Sequence, residues 1–276
     1  MKLPTLTGLA LMGLSACATT SGALDDDDDA SVELRDHHRH HHRGGVTQFI
    51  AMSLDTIGED DAQRPDVERL RGALNGCMEP AREIEKQLVL TFADGIATGA
   101  VKLERLDDAI IQLNATAAPS YECSADVLNK LHGLLTASER EVVADKVQAH
   151  WEIWLQVNDG NSVNGRLADV TEELNLSTAQ VKELTKALTE AFGRKSPFEP
   201  KKAAGYVVAF AAAFVFPTFD ARTVTPEVSD QLSAHGARRM ALFYETITPF
   251  LDAEQRAELA GHLREHANHT ITLSAN

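Results

Sequence analysis

The sequence has few cysteines, few aromatic residues and too little positive charge to balance its acids. Its 276 residues include three cysteines, 10 Phe, 3 Tyr and 2 Trp, and 26 Lys plus Arg against 41 Asp plus Glu, for a formal net charge of −15. Binding to nucleic acid requires concentrated Lys and Arg that neutralise phosphates, so this deficit argues against a nucleic-acid partner. A hydrophobic fraction of 43% is enough for a buried core, and the length is that of one large domain or two small ones.

The short motifs of common enzymes are also missing. The sequence contains no phosphate-binding loop, no dinucleotide-binding fingerprint, no HExxH and no GxSxG. No histidine stands near Cys77 or Cys123 of the kind that a thiol nucleophile requires. We therefore expect no catalytic activity and no required cofactor.

The N-terminus carries an export signal. Residues 1–17 have one lysine, an apolar stretch that ends at Leu14, and small residues before Cys17, and this stretch is too short for a stable membrane span. The sequence LSAC resembles the bacterial lipobox, which implies a signal peptide at 1–16 and a lipid on Cys17. Ala18 after the cysteine implies sorting to the outer membrane, with the protein facing the periplasm. The alternative is an ordinary signal peptide, cut near Ala18 or Ala23.

Residues 17–45 form a polar leader with two charged tracts. Five aspartates stand at 25–29, and a histidine-rich tract follows, so we expect a disordered tether between lipid and folded body. Clustered neutral imidazoles bind Zn, Cu or Ni ions, and the alternative for this tract is a solvated spacer. The histidines concerned are His37, His38, His40, His41 and His42.

The two cysteines of the body are expected to pair. Export places Cys77 and Cys123 in an oxidising compartment, where a disulfide between them would stabilise the fold by about 4 kcal/mol. Two buried unpaired thiols are the alternative.

The body is predicted to be all-α. Apolar residues recur at three- and four-residue steps from Val67 through Leu70 and Leu74 to Met78, which is typical of an amphipathic helix, and no window shows sustained strand alternation. Further helices are predicted at 103–114, 125–134, 137–158, 163–174, 178–193, 198–216, 226–248 and 253–269, with breaks at Gly95, Gly99, Pro119, Gly160, Pro197, Pro217 and Pro226.

Three of these helices begin with the same motif. A leucine precedes an N-cap oxygen, and Glu or Gln follows three residues after the cap, which is the capping box that satisfies two backbone amides reciprocally. The three boxes are Leu135, Thr136 and Glu139; Leu176, Ser177 and Gln180; and Leu251, Asp252 and Gln255.

The first and third boxes lie in a longer repeat. Residues 135–150 placed on 251–266, an offset of 116, give identical Leu, Ala, Arg, Ala and His in 16 positions. We infer an internal duplication with units at 46–158 and 159–276.

The boxes, repeated behind an export signal, resemble the LTxxQ motif of the Spy/CpxP family. LNLSTAQ at 174–180 is the best match, and FLDAEQRAEL at 250–259 is similar to the second motif of that family. The resemblance implies two tandem Spy-like units of long kinked helices in a cradle. It also implies an ATP-independent periplasmic chaperone or envelope-stress adaptor whose partners are unfolded envelope proteins. The alternative function is a heavy-metal-binding lipoprotein that uses the histidine tract.

The family usually forms dimers, whereas this chain carries two units. We therefore expect either a monomer, in which the units form an intramolecular pseudo-dimer, or a homodimer. Only the lipid anchor is expected to contact the membrane.

One apolar stretch is a candidate surface. Residues 203–216 are almost entirely apolar but too few to span a bilayer. We expect a core helix there, and a client-binding surface is the alternative.

Overall fold

The computed structural model describes residues 45–54, 62–158, 163–193, 200–224 and 229–269, and these ranges contain helices and turns but no strand. The all-α prediction is confirmed. In the same part of the chain, no helix has the length and apolarity needed to cross a membrane. The α-helices are α1 (Val46–Met52), α2 (Arg64–Thr98), α3 (Asp107–Ala115), α4 (Ala117–Leu134), α5 (Ala137–Asn158), α6 (Val163–Glu173), α7 (Thr178–Phe192), α8 (Pro200–Val215), α9 (Ser229–Ile247) and α10 (Ala253–His269), with 3₁₀ turns at Leu103–Arg105, Ala221–Thr223 and Thr248–Phe250.

Two predicted helix breaks are wrong. Helix α2 passes through Gly95 and ends only at Gly99, which takes the left-handed conformation (φ 77°) that glycine adopts without a steric penalty. Gly95 allows close packing, because a Cβ there would lie 3.0 Å from the Val101 side chain. Pro119 is the third residue of α4. The backbone N–H groups of the first turn have no acceptor within the helix, so proline is tolerated there, and α4 begins at Ala117 and not at 125.

The described helices pack into two hydrophobic cores. Core A contains residues of α3, α6, α7, α9 and α10, and core B contains residues of α1, α4, α5 and α8 together with Leu232 of α9. Helix α2 contributes residues 67–78 to core B and residues 81–96 to core A. Each core therefore takes helices from both sides of residue 158, and the packing does not follow the two predicted units.

The two halves exchange equivalent helices. The second half of α2 packs against α10, and α8 packs against α5. Placing residues 91–98 on 209–216, an offset of 118, aligns Phe92 with Phe210, and the two side chains are buried in core A and core B respectively. Each half thus gives one helix to the core formed by the last helix of the other half.

A matched pair of hydrogen bonds marks the same exchange. The Leu103 amide donates to Glu245 Oε1 at 3.1 Å, and the Ala221 amide donates to Asn129 Oδ1 at 2.8 Å. Asn129 and Glu245 are equivalent in the repeat with offset 116, and each bond caps a 3₁₀ turn of the opposite half. An intramolecular pseudo-dimer would have this reciprocal arrangement; the number of chains in solution stays a prediction.

The N-terminal half of α2 is fixed by a covalent bond. A disulfide joins Cys77 of α2 to Cys123 of α4, with the two Cα atoms 5.6 Å apart. The corresponding helices of the other half, α7 and α9, are joined by the Arg239 guanidinium, which lies 4.4 Å from the centre of the Phe192 ring. This cation–π contact is weaker than a covalent bond, so the two halves are held together differently at this joint.

Replacing both cysteines with alanine is expected to lower the free energy of unfolding by about 4 kcal/mol, because the unfolded chain regains the entropy of a 46-residue loop. Urea unfolding of the oxidised protein, the reduced protein and the double variant measures this difference. The reduced protein should match the variant. Equal stability of all three forms would contradict a stabilising role for the bond.

Candidate functional site

The histidine tract and the lipid-anchor cysteine cannot be located in the fold. Cys17 and His37, His38, His40, His41 and His42 lie outside the described residues. Among the described residues, no group of three or more His, Cys, Asp or Glu side chains is placed to hold a metal ion. The metal and lipid sites therefore stay predictions, and the geometry below concerns the capping boxes and α8.

All three boxes form reciprocal hydrogen bonds. The backbone N–H of Gln180 donates to Ser177 Oγ at 3.3 Å, and the backbone N–H of Ser177 donates to Gln180 Oε1 at 3.0 Å. Asp252 and Gln255 exchange the same bonds at 2.9 and 3.1 Å. Thr136 and Glu139 do so at 3.3 and 2.7 Å. The leucines before the caps, Leu135, Leu176 and Leu251, are buried.

Two of the boxes contact each other, which the sequence does not reveal. Gln180 Nε2 donates to Gln255 Oε1 at 2.8 Å and to the Phe250 carbonyl at 3.2 Å. Gln255 Nε2 in turn donates to the Leu174 carbonyl at 3.4 Å. Each glutamine caps its own helix and also bonds the segment that precedes the other helix, so the starts of α7 and α10 are fixed side by side over core A.

The remaining box has a partner with a similar contact, which sequence reasoning missed. Gln63, just before α2, donates from Nε2 to the Leu134 carbonyl at 3.4 Å, and Leu134 aligns with Phe250 in the repeat. Glu139 stands where Gln255 stands in the other half, and an ionised carboxylate only accepts, so it makes no return bond. Helices α2 and α7 align at an offset of 114, with Val67, Leu70, Ala73 and Leu74 on Val181, Leu184, Ala187 and Leu188. This register places Gln63 on Ser177 and Asp66 on Gln180, so the sequence did not single out Gln63.

Helix α8 has two apolar sides, and the described residues cover only one of them. Its buried side, which includes Phe210 and Phe214, lies in core B. The opposite side, here called the α8 face, leaves Val208 52% exposed and Phe216, just after the helix, 64% exposed. The face consists of Gly205, Val208, Ala209, Ala212 and Phe216.

The equivalent side of α2 is mostly polar. In the register that aligns Phe92 with Phe210, the exposed residues Gln87, Thr91, Asp94 and Thr98 correspond to Gly205, Ala209, Ala212 and Phe216, and Val208 corresponds to Leu90, which is partly buried against core A. Because one copy of this helix folds with a polar outer side, the fold does not require the apolar one. The α8 face is therefore a particular feature of the second half.

The sequence places opposite charges before and after the α8 face. Residues 194–202 contain four Lys or Arg and one acid, and residues 203–219 contain no charge. Beyond the other end, Arg222 contacts the carboxylates of Asp126 at 2.9 Å and Glu122 at 3.5 Å, while Asp220 accepts from Asn129 at 3.2 Å. The hydrogen bond from Arg222 lowers the pKa of Asp126, so this carboxylate stays ionised and the acidic end keeps its charge.

Tyr121 lies under this acidic end. Its hydroxyl donates to the Ala221 carbonyl at 2.8 Å. Burial, with a further contribution from Asp220 and Glu122, raises the pKa of Tyr121 far above its usual value. The phenol therefore stays protonated and keeps its bond to the second 3₁₀ turn.

Comparison of the chain with family models, curated proteins and solved structures found no match.

The contact between the boxes predicts energetic coupling. We expect Gln180→Ala and Gln255→Ala each to cost about 1 kcal/mol, with the double variant departing from additivity by at least about 0.5 kcal/mol. Urea unfolding of the single and double variants measures this coupling energy. The matched control combines Gln180→Ala with Glu139→Ala, which lies in the box at core B and should be additive. Additivity in both cycles would contradict the joint.

Proposed function

We propose that this protein is a lipid-anchored, ATP-independent chaperone or stress adaptor of the bacterial envelope that binds unfolded proteins on the α8 face. The observation that carries the proposal is the exposed, uncharged α8 face beside a polar equivalent on α2. Exposed apolar side chains on a stable scaffold are the surface that an unfolded chain can cover.

The size of the face accounts for reversible binding. Complete burial of a side chain such as valine or phenylalanine contributes about 1.5 to 3 kcal/mol, and Val208 and Phe216 are already partly buried. A few such contacts, reduced by the entropy lost on association, hold a client weakly and release it without nucleotide hydrolysis.

Charge selects among clients. Seven acids and four bases precede Val46, which leaves 34 acids, 22 bases and a charge of −12 for the rest of the chain. Unfolded segments with basic flanks are therefore favoured, and salt weakens their capture.

The remaining parts of the proposal depend on the sequence. The lipobox at Cys17 and the resemblance to the Spy/CpxP family support a site of action in the periplasm, at the outer membrane. In this protein the LTxxQ-like boxes serve as joints between helices, which leaves α8 free to contact a client. Metal binding by the histidine tract, the lack of catalysis and the lack of a required cofactor stay predictions.

A variant that copies the polar side of α2 tests the binding surface. Ala212→Asp with Phe216→Thr reproduces Asp94 and Thr98 and should abolish most of the protein's suppression of client aggregation, because it places a charge where apolar segments would pack. Light scattering of a reduced, unfolding client with and without the protein measures this suppression.

The control is Ile111→Asp, which places the same charge at an exposed apolar residue of α3 and should leave suppression unchanged. Urea unfolding checks that both variants are folded. If a folded α8 variant suppresses aggregation as well as the unmodified protein does, the α8 face is not the client site.

A further inference from the structure

We propose that the α8 face also binds the α8 face of a second copy of this chain, in antiparallel orientation. The inference depends on the proposed function only for its consequence, which is that pairing and client binding compete for one surface.

The spacing of the face makes it complementary to itself. Consider an antiparallel pair of α8 helices whose centre lies between Phe210 and Ala211. The numbers of two residues at the same level then add up to 421. Phe216 then faces Gly205, and Ala209 faces Ala212. The largest side chain of the face meets the smallest residue in the first pair, and the second pair joins two alanines near the centre. Nothing lies within 4 Å of a Cβ built on Gly205, so the position opposite Phe216 is open.

Charge favours the same orientation. Lys201 is exposed one turn before Gly205, and antiparallel pairing brings it toward Asp220 of the other copy, at the acidic end that also contains Glu122 and Asp126. A parallel pair would place like ends together. The uncharged stretch 203–219 also lets two chains of charge −15 approach where repulsion is weakest.

The area limits the strength of the pair. Helix α8 has 16 residues and is therefore about 24 Å long. One helix against another buries less than the roughly 800 Å² per partner of a stable interface, so the dimer belongs to the weak, reversible class. A client present at sufficient concentration can then displace the second copy.

Two measurements on the full chain test this pairing. Sedimentation velocity over a concentration series should show a monomer–dimer equilibrium. Ala212→Asp and Gly205→Leu should each raise the dissociation constant at least about tenfold, since the first places two charges together at the centre and the second fills the position opposite Phe216.

Orientation is tested by cross-linking in the Cys17→Ser background. A chain with Gly205→Cys mixed with a chain with Phe216→Cys should form a mixed disulfide, and neither chain alone should cross-link efficiently to itself. Self-cross-linking of the Gly205→Cys chain would indicate parallel pairing and overturn the proposal.

A monomer at every concentration would also overturn it, and so would a dimer that both variants leave unchanged. These outcomes are separate from those of the aggregation assay, which measures client binding below the dimer dissociation constant. If the protein stays monomeric while Ala212→Asp abolishes suppression, the face binds clients alone.

Discussion

The exchange of two equivalent helices between two cores is the constraint on which the rest of the structure depends. Helix α2 is continuous over 35 residues and enters both cores, so neither core is complete without the other half of the chain. In the second half, the same path is divided between α7 in core A and α8 in core B. The two halves share one pattern of contacts, but the first half makes it with the single helix α2 and the second half makes it with two helices.

The capping boxes lie at helix starts that contact other segments. Two of them begin the last helix of each half, α5 and α10, and the third begins α7. Gln180 and Gln255 of the boxes, and Gln63 before α2, bond the backbone of neighbouring segments. Such bonds hold the helix starts in place without placing a charge in the cores. These joints lie away from α8, whose exposed side carries apolar residues where the equivalent positions of α2 carry mostly polar ones.

Sequence reasoning predicted the helices and their caps because these depend on neighbouring residues. The spacing from Val67 to Met78 and the Ser177 and Gln180 pair are local signals of this kind. The exchange was not predictable, since a contact such as Leu103 with Glu245 depends on residues 142 positions apart. Gly95 was misread as a break because its role is to admit Val101, which periodicity does not show. The exposed side of α8 was not predictable either, because the sequence of an apolar helix of this length does not show whether one side or both sides are buried.

The central claim is that unfolded clients bind α8 and not the equivalent part of α2. Hydrogen–deuterium exchange of the full chain, with and without an unfolded client, tests this claim most directly, because the two helices serve as internal references for each other. The account predicts slower exchange in residues 200–216 when the client is present and no change in residues 87–98. Slower exchange confined to other helices, with residues 200–216 unaffected, would contradict it.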